Sequence, residues 1–164
     1  MNTEQNFNYI NAMWDKSIVP TLMEYIKIPN KSPQFDHDWE KHGYMDQAVK
    51  LIVDWCDANR LPGMLLDVVK LDGRTPVILM EIPGKNADTV LLYGHLDKQP
   101  EMAGWEEGLH PWKPVLRGDK LYGRGAADDS RRHHPADDPA AKHQPHDNGA
   151  ADGAAGPDRR DAGA

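Results

Sequence analysis

Thr89-Val90-Leu91-Leu92-Tyr93-Gly94-His95-Leu96-Asp97 is the stretch on which the fold turns. Val90-Leu91-Leu92 is apolar without alternation. A strand with one wet face alternates; an unbroken run suits a strand covered on both faces, as in an α/β sheet. The run ends in a polar cluster, and in open α/β sheets ligands gather at the carboxyl ends of strands. Upstream, two further runs read as strands: Met64 to Leu71, closed by the Asp72-Gly73 turn, and Pro76 to Ile82, closed by Pro83-Gly84-Lys85-Asn86.

The region before these runs is helical. Phe7, Ile10, Met13, Trp14, Ile18, Leu22, Tyr25 and Ile26 recur at helical spacing and predict a helix over 6–27, kinked or restarted at Pro20. The polar stretch Pro29 to Trp39 reads as a loop around Ser32-Pro33. Met45, Ala48, Val49, Ile52, Trp55 and Cys56 predict a second helix over about 41–60, ended by Asn59 and Pro62-Gly63. Two helices followed by closely spaced strands give the fold class α/β.

Composition divides the 164 residues in two. Residues 1–129 hold all 5 Trp, all 5 Tyr, both Phe and all 7 Met, enough for one domain core. Residues 130–164 contain no Val, Ile, Leu, Met, Phe, Tyr or Trp. Ordering a residue's backbone costs roughly 1–2 kcal/mol, and a segment without bulky apolar groups has nothing to offset it. The expectation is one partial domain over 1–129 and a disordered low-complexity tail over 130–164. The change at Ser130 is abrupt, and Arg, Ala, Pro, Gly and His dominate after it. That is the product expected of a GC-rich frame read out of register, so a frameshift near this codon is one explanation and a natural low-complexity tail the other.

The net charge of −7 argues against a nucleic-acid backbone as partner, because phosphates need clustered Lys or Arg. Arg131-Arg132 and Arg159-Arg160 are diluted by neighbouring Asp. Cys56 is the single cysteine and falls on an apolar helix face, which predicts a buried thiol; one Cys offers no disulfide framework, which is compatible with a reducing compartment. Met1-Asn2-Thr3-Glu4-Gln5-Asn6 has neither a basic start nor an apolar run, and no stretch is long enough to span a membrane. Cytoplasmic location and no membrane partner are the expectations.

Two clusters carry chemistry. In an extended segment, residues i and i+2 point the same way, so His95 and Asp97 can work as a pair. A metal-ligating imidazole needs its other nitrogen oriented, and a carboxylate commonly does this. A lone His-x-Asp is more often a surface pair. The second cluster is Leu121-Tyr122-Gly123-Arg124-Gly125-Ala126-Ala127-Asp128-Asp129. Its glycines permit a tight turn and its acids are zinc-type donors. Alone it reads as a Gly-rich turn before a solvated acidic pair.

Taken together, Gly94-His95-Leu96-Asp97-Lys98-Gln99-Pro100, the Trp105 to Pro114 segment, and Leu121-Tyr122-Gly123-Arg124-Gly125 with Asp128-Asp129 resemble the di-zinc exopeptidases. That family includes carboxypeptidase G, cytosolic non-specific dipeptidase, carnosinase, and the acylornithine and succinyl-diaminopimelate deacetylases. The resemblance covers residues 1–129, and the passages around Trp14 and from Ile28-Pro29 to Ser32-Pro33 are similar to the dipeptidase branch. It implies a catalytic domain with helices packed on a mixed sheet. It also implies that His95 is a zinc ligand, that Asp97 is its orienting catalytic partner, and that Asp128 bridges two metals across a cis Asp128-Asp129 bond. It implies zinc as cofactor, with manganese or cobalt able to take similar ligands. The implied activity is hydrolysis of peptide amide bonds, dipeptidase- or carboxypeptidase-like, by a metal-activated water. The implied substrate is a small peptide, or an N-acyl amino acid in the deacetylase alternative, and the implied assembly is a homodimer.

The chain departs from that family after Asp129. The family continues with Gly or Lys-Gly, an apolar helix and a Glu-Glu pair that supplies the general base; here no Glu follows Glu107. His133, His134, His143 and His146 lie in a Pro-rich segment, which does not pre-organise ligands. The expectation is therefore a truncated chain, inactive alone and poorly soluble because sheet edges and an apolar face lack cover. The alternatives are a non-catalytic module that binds metal or a partner, and a pseudogene product.

Overall fold

The computed structural model describes residues 2–126. Helix α1 spans Thr3–Met13 and opens on a capping box. The Asn2 side chain accepts from the Glu4 amide at 3.2 Å, and the Asn2 amide donates to the Gln5 side chain at 3.4 Å. No residue of α1 is buried. One wide π-type turn, Trp14–Ile18, separates it from α2, Val19–Lys27. Pro20, in the first turn of α2, has no N–H to donate backwards, which is why the long predicted helix restarts here. Thr21 Oγ1, in α2, donates back to Ser17 O of the irregular turn at 2.8 Å.

The loop after α2 ends in a short helix, α3, Trp39–His42, and α4 follows over Tyr44–Ala58. The predicted second helix over 41–60 is therefore two helices, divided at Gly43. Helix α2 buries Leu22, Tyr25 and Ile26 and packs against α4, which buries Met45, Ala48, Val49 and Cys56. These positions recur every three or four residues, so each helix lays one stripe into a shared core. Trp55 Nε1 donates to Ser17 Oγ at 2.8 Å and ties α4 to the irregular turn. Cys56 is a buried free thiol, as its pattern predicts, and burial, with Asp57 adding to it, pushes the thiol pKa up.

Strands β1, Leu65–Val69, and β2, Val77–Glu81, form an antiparallel hairpin with Leu65 opposite Glu81 and Val69 opposite Val77. A second hairpin pairs β3, Val115–Arg117, with β4, Lys120–Tyr122. The chain is thus mixed helix and strand, but among the described residues two separate antiparallel hairpins stand where one mixed sheet is expected. The stretch Thr89 to Tyr93 is not a strand. A strand exists only when its N–H and C=O groups find a ladder, and β1 pairs only β2 while β3 pairs only β4. Val90, Leu91 and Tyr93 are consequently 81%, 89% and 86% exposed. Among the described residues no helix is long and apolar enough to cross a membrane. The expected tail over 130–164, Asp128 and its following peptide bond lie outside the described residues.

Candidate functional site

The segment from Leu96 to Lys98 is held from one side by α2 and the loop after it. The Leu96 carbonyl accepts from the Tyr25 hydroxyl and from Asn30 Nδ2, the latter at 2.6 Å. The Lys98 amide donates to Asn30 O at 3.0 Å, and the Lys98 carbonyl accepts from the Ser32 amide at 3.0 Å. Lys31 and Lys98 thereby form an isolated parallel bridge. This local ladder positions the polar cluster, although the apolar run before it has none.

His95 and Asp97 meet within this segment. His95 Nδ1 lies 2.9 Å from Asp97 Oδ1 and 3.1 Å from Asp97 O. Both neighbours are oxygens, so Nδ1 carries a proton, and in the neutral ring the lone pair is on Nε2. The side chains are 37% and 32% exposed, within reach of a ligand. An imidazole in this tautomer with a carboxylate behind it is the form that ligates a metal.

Lys98 is 1% exposed and lies across the end of α2. Its Nζ donates to Tyr25 O at 2.6 Å, a last-turn carbonyl that also accepts from the Ile28 amide, and to Ile28 O at 2.7 Å, the C-cap carbonyl. The same nitrogen lies 3.7 Å from the Tyr25 ring centroid and 5.6 Å from that of Trp112. Burial pushes its pKa down to about 7.

Strand β4 leads into the Gly-rich turn, which packs directly on these groups. A Cβ at Gly123 would lie 2.5 Å from Ile26 Cγ2, and one at Gly125 would lie 2.9 Å from Lys98 Cε. Only glycine admits this approach, and both residues have positive φ, 152° and 83°. The Arg124 amide donates to Pro111 O at 2.8 Å, so the turn is also tied to the Trp- and Pro-rich segment. An open cleft of about 390 Å³ lies over it, lined by Trp105 and residues 121–126. At its rim Trp105 Nε1 donates to Glu101 O at 2.9 Å, and Lys31 Nζ bonds Glu101 Oε1 at 3.1 Å. Glu101's own backbone amide, helped by Lys31, holds the Glu101 carboxyl below the usual range.

Of the three residues that the sequence singles out, the structure joins His95 to Asp97, and Asp128 lies outside the described residues. Among the described residues no three His, Cys, Asp or Glu come close enough together to hold a metal ion. Tyr25, Asn30 and Lys98 are the side chains that sequence reasoning passed over. Lys98 stands inside a quoted motif, but nothing in a sequence marks a lysine as buried. No protein-family model matches the chain.

Proposed function

We propose that the chain binds a divalent metal ion through His95, as the metal-binding part of a zinc hydrolase of the di-zinc exopeptidase kind. The observation that supports this is the 2.9 Å bond between His95 Nδ1 and Asp97 Oδ1, which presents Nε2 as a donor. The described residues do not make a whole zinc site, since a protein zinc site needs three or four donors and no three converge among them. His95 fits one position of such a site, and Asp128, by the resemblance, fits another.

The substrate class that goes with this reading is a small peptide whose amide bond is hydrolysed. The absence of any Glu after Glu107 removes the family's general base from this sequence, so we assign metal binding to the 164-residue chain and no turnover. The lone buried thiol of Cys56 suits a reducing cytoplasm.

The test is a zinc titration of the purified chain against a chromophoric chelator, followed by incubation with a simple dipeptide. The expected result is zinc binding that His95→Ala removes, with no hydrolysis. Zinc-dependent cleavage that Asp128→Ala abolishes would overturn the non-catalytic assignment. Failure to bind zinc at all would overturn the metal reading.

A further inference from the structure

We propose that Lys98 is a positioning residue: it holds the His95–Asp97 pair in its bonded geometry and sets the spacing between that pair and the Gly123–Gly125 turn. The inference deepens the metal reading, but it rests on geometry that exists without metal.

Asp97 has no clamp on the upstream side beyond its own pair. Among the described residues, 90–93 make no ladder and stand exposed, so the run just before Gly94 does not order the segment. Its anchors include α2, the loop after it and the Lys98 side chain. Leu96 is held through its carbonyl by Tyr25 and Asn30. Lys98 is held through its amide by Asn30, through its carbonyl by Ser32, and through Nζ by Tyr25 O and Ile28 O. Asp97 sits between two anchored residues, and its side chain then falls 2.9 Å from His95 Nδ1. A buried ammonium bonded to two carbonyls has little freedom, so it anchors more firmly than an exposed lysine can.

The stem of Lys98 does the second part. Gly125 approaches so closely that an added Cβ would lie 2.9, 3.2 and 3.3 Å from Lys98 Cε, Cδ and Cγ. The methylenes of Lys98 therefore form the floor on which the Gly-rich turn rests. That turn runs on to Asp128 in the sequence. One side chain thus touches α2, the loop carrying His95 and Asp97, and the turn that precedes the second acid. The groups facing its Nζ are the Tyr25 and Ile28 carbonyls and the Tyr25 and Trp112 rings. Lys98 forms no ion pair among the described residues, so its bonding goes into holding backbone.

The experiment uses the full chain labelled with ¹⁵N at histidine. In the wild type, the expected His95 side-chain spectrum is that of one tautomer, protonated at Nδ1. Lys98→Met keeps the stem and removes the amine. The expected result is a shift of the His95 signals toward the mixed-tautomer spectrum of Asp97→Ala, with far-UV circular dichroism unchanged. A wild-type His95 spectrum in Lys98→Met, with only the melting temperature lowered, makes Lys98 merely structural and overturns the proposal. Should Lys98→Met not fold, the Nζ resonance of Lys98 in His95→Ala decides, because coupling is reciprocal: a displaced resonance supports the proposal and an unmoved one overturns it. Zinc affinity, read separately, should fall roughly tenfold in Lys98→Met, as for other groups that orient a ligand. Loss of zinc binding in the wild type would sink the metal reading and leave the tautomer result to judge Lys98.

Discussion

Lys98 Nζ donates to Tyr25 O at 2.6 Å while lying 3.7 Å from the centre of the same residue's ring. Tyr25 in turn sends its hydroxyl to Leu96 O, two residues before Lys98. The two side chains embrace in opposite directions, so α2 and the His95–Asp97 segment are joined by donors from each side. The pair is nearly inaccessible, at 1% exposure for each residue.

Burial at this site makes stability depend on pH. The Lys98 amine is pushed from 10.5 down to about 7. Below pH 7 it is charged in both folded and unfolded chains, and the fold bears the whole cost of burying that charge. Between about 7 and 10.5 the unfolded chain holds more protons, so stability rises with pH and the cost is gone above the unfolded value. The neutral amine keeps two N–H groups for its two carbonyls. Subtracting the melting temperatures of Lys98→Met from those of the wild type at pH 6, 7, 8 and 9 should give a difference that moves in favour of the wild type above pH 7. A flat difference would show that the amine titrates elsewhere.

The close approach at Gly123 sets a steric prediction. An added Cβ would meet Ile26 Cγ2 at 2.5 Å, whereas one at Gly118 meets nothing within 4 Å. Gly118→Ala carries only the strain of its positive φ, 61°, about 1 kcal/mol. Gly123→Ala must also push apart α2 and the turn, adding about 1–3 kcal/mol. Urea denaturation of both variants checks the ordering, and equal losses would refute the packing argument.

The exposed run from Val90 to Tyr93 is a solubility liability. Leu91, at 89% exposure, has little burial to lose. Leu91→Lys should therefore leave stability within about 0.5 kcal/mol and raise the soluble fraction, because a charge in an unpaired apolar segment blocks edge association. Light scattering at matched concentrations reads the change. Unaltered aggregation would move the liability to the β1–β2 hairpin, where Leu65 and Leu79 also stand exposed.

Asp97 orients His95 without being the proposed donor. Asp97→Ala should weaken zinc binding by about 10–100-fold and leave the core of Ile26, Ala48 and Met45 intact. His95→Ala should remove zinc binding altogether. Chelator competition separates the two, and equal affinity in Asp97→Ala and the wild type would mean that the carboxylate does not tune the imidazole.

The helical half was legible because its signal is local. Leu22, Tyr25 and Ile26 on α2, and Met45, Ala48, Val49 and Cys56 on α4, are spaced at the helical period, and the structure buries each of them. Pro20 announced the restart through its missing N–H. The runs of β1 and β2 were legible on either side of the Asp72-Gly73 turn, whereas the short strands β3 and β4 were not read from the sequence. The run at 90–93 misled because the same residues suit a central strand or an uncovered one. Strand propensity creates no partner, and pairing is decided by residues far away in sequence.

The candidate site divides along the same line. Sequence by itself determined that His95 and Asp97 stand two apart, that a Gly-rich stretch precedes Asp128, that residues 130–164 hold no large apolar side chain, and that no Glu follows Glu107. Only the tertiary structure decided that His95 Nδ1 bonds Asp97, that Lys98 is buried against the end of α2, and that Gly123 and Gly125 are glycine because Ile26 and Lys98 lie beneath them. Spacing along a chain specifies which way neighbouring side chains point. Burial, desolvation and steric exclusion depend on what the rest of the chain brings to the same place.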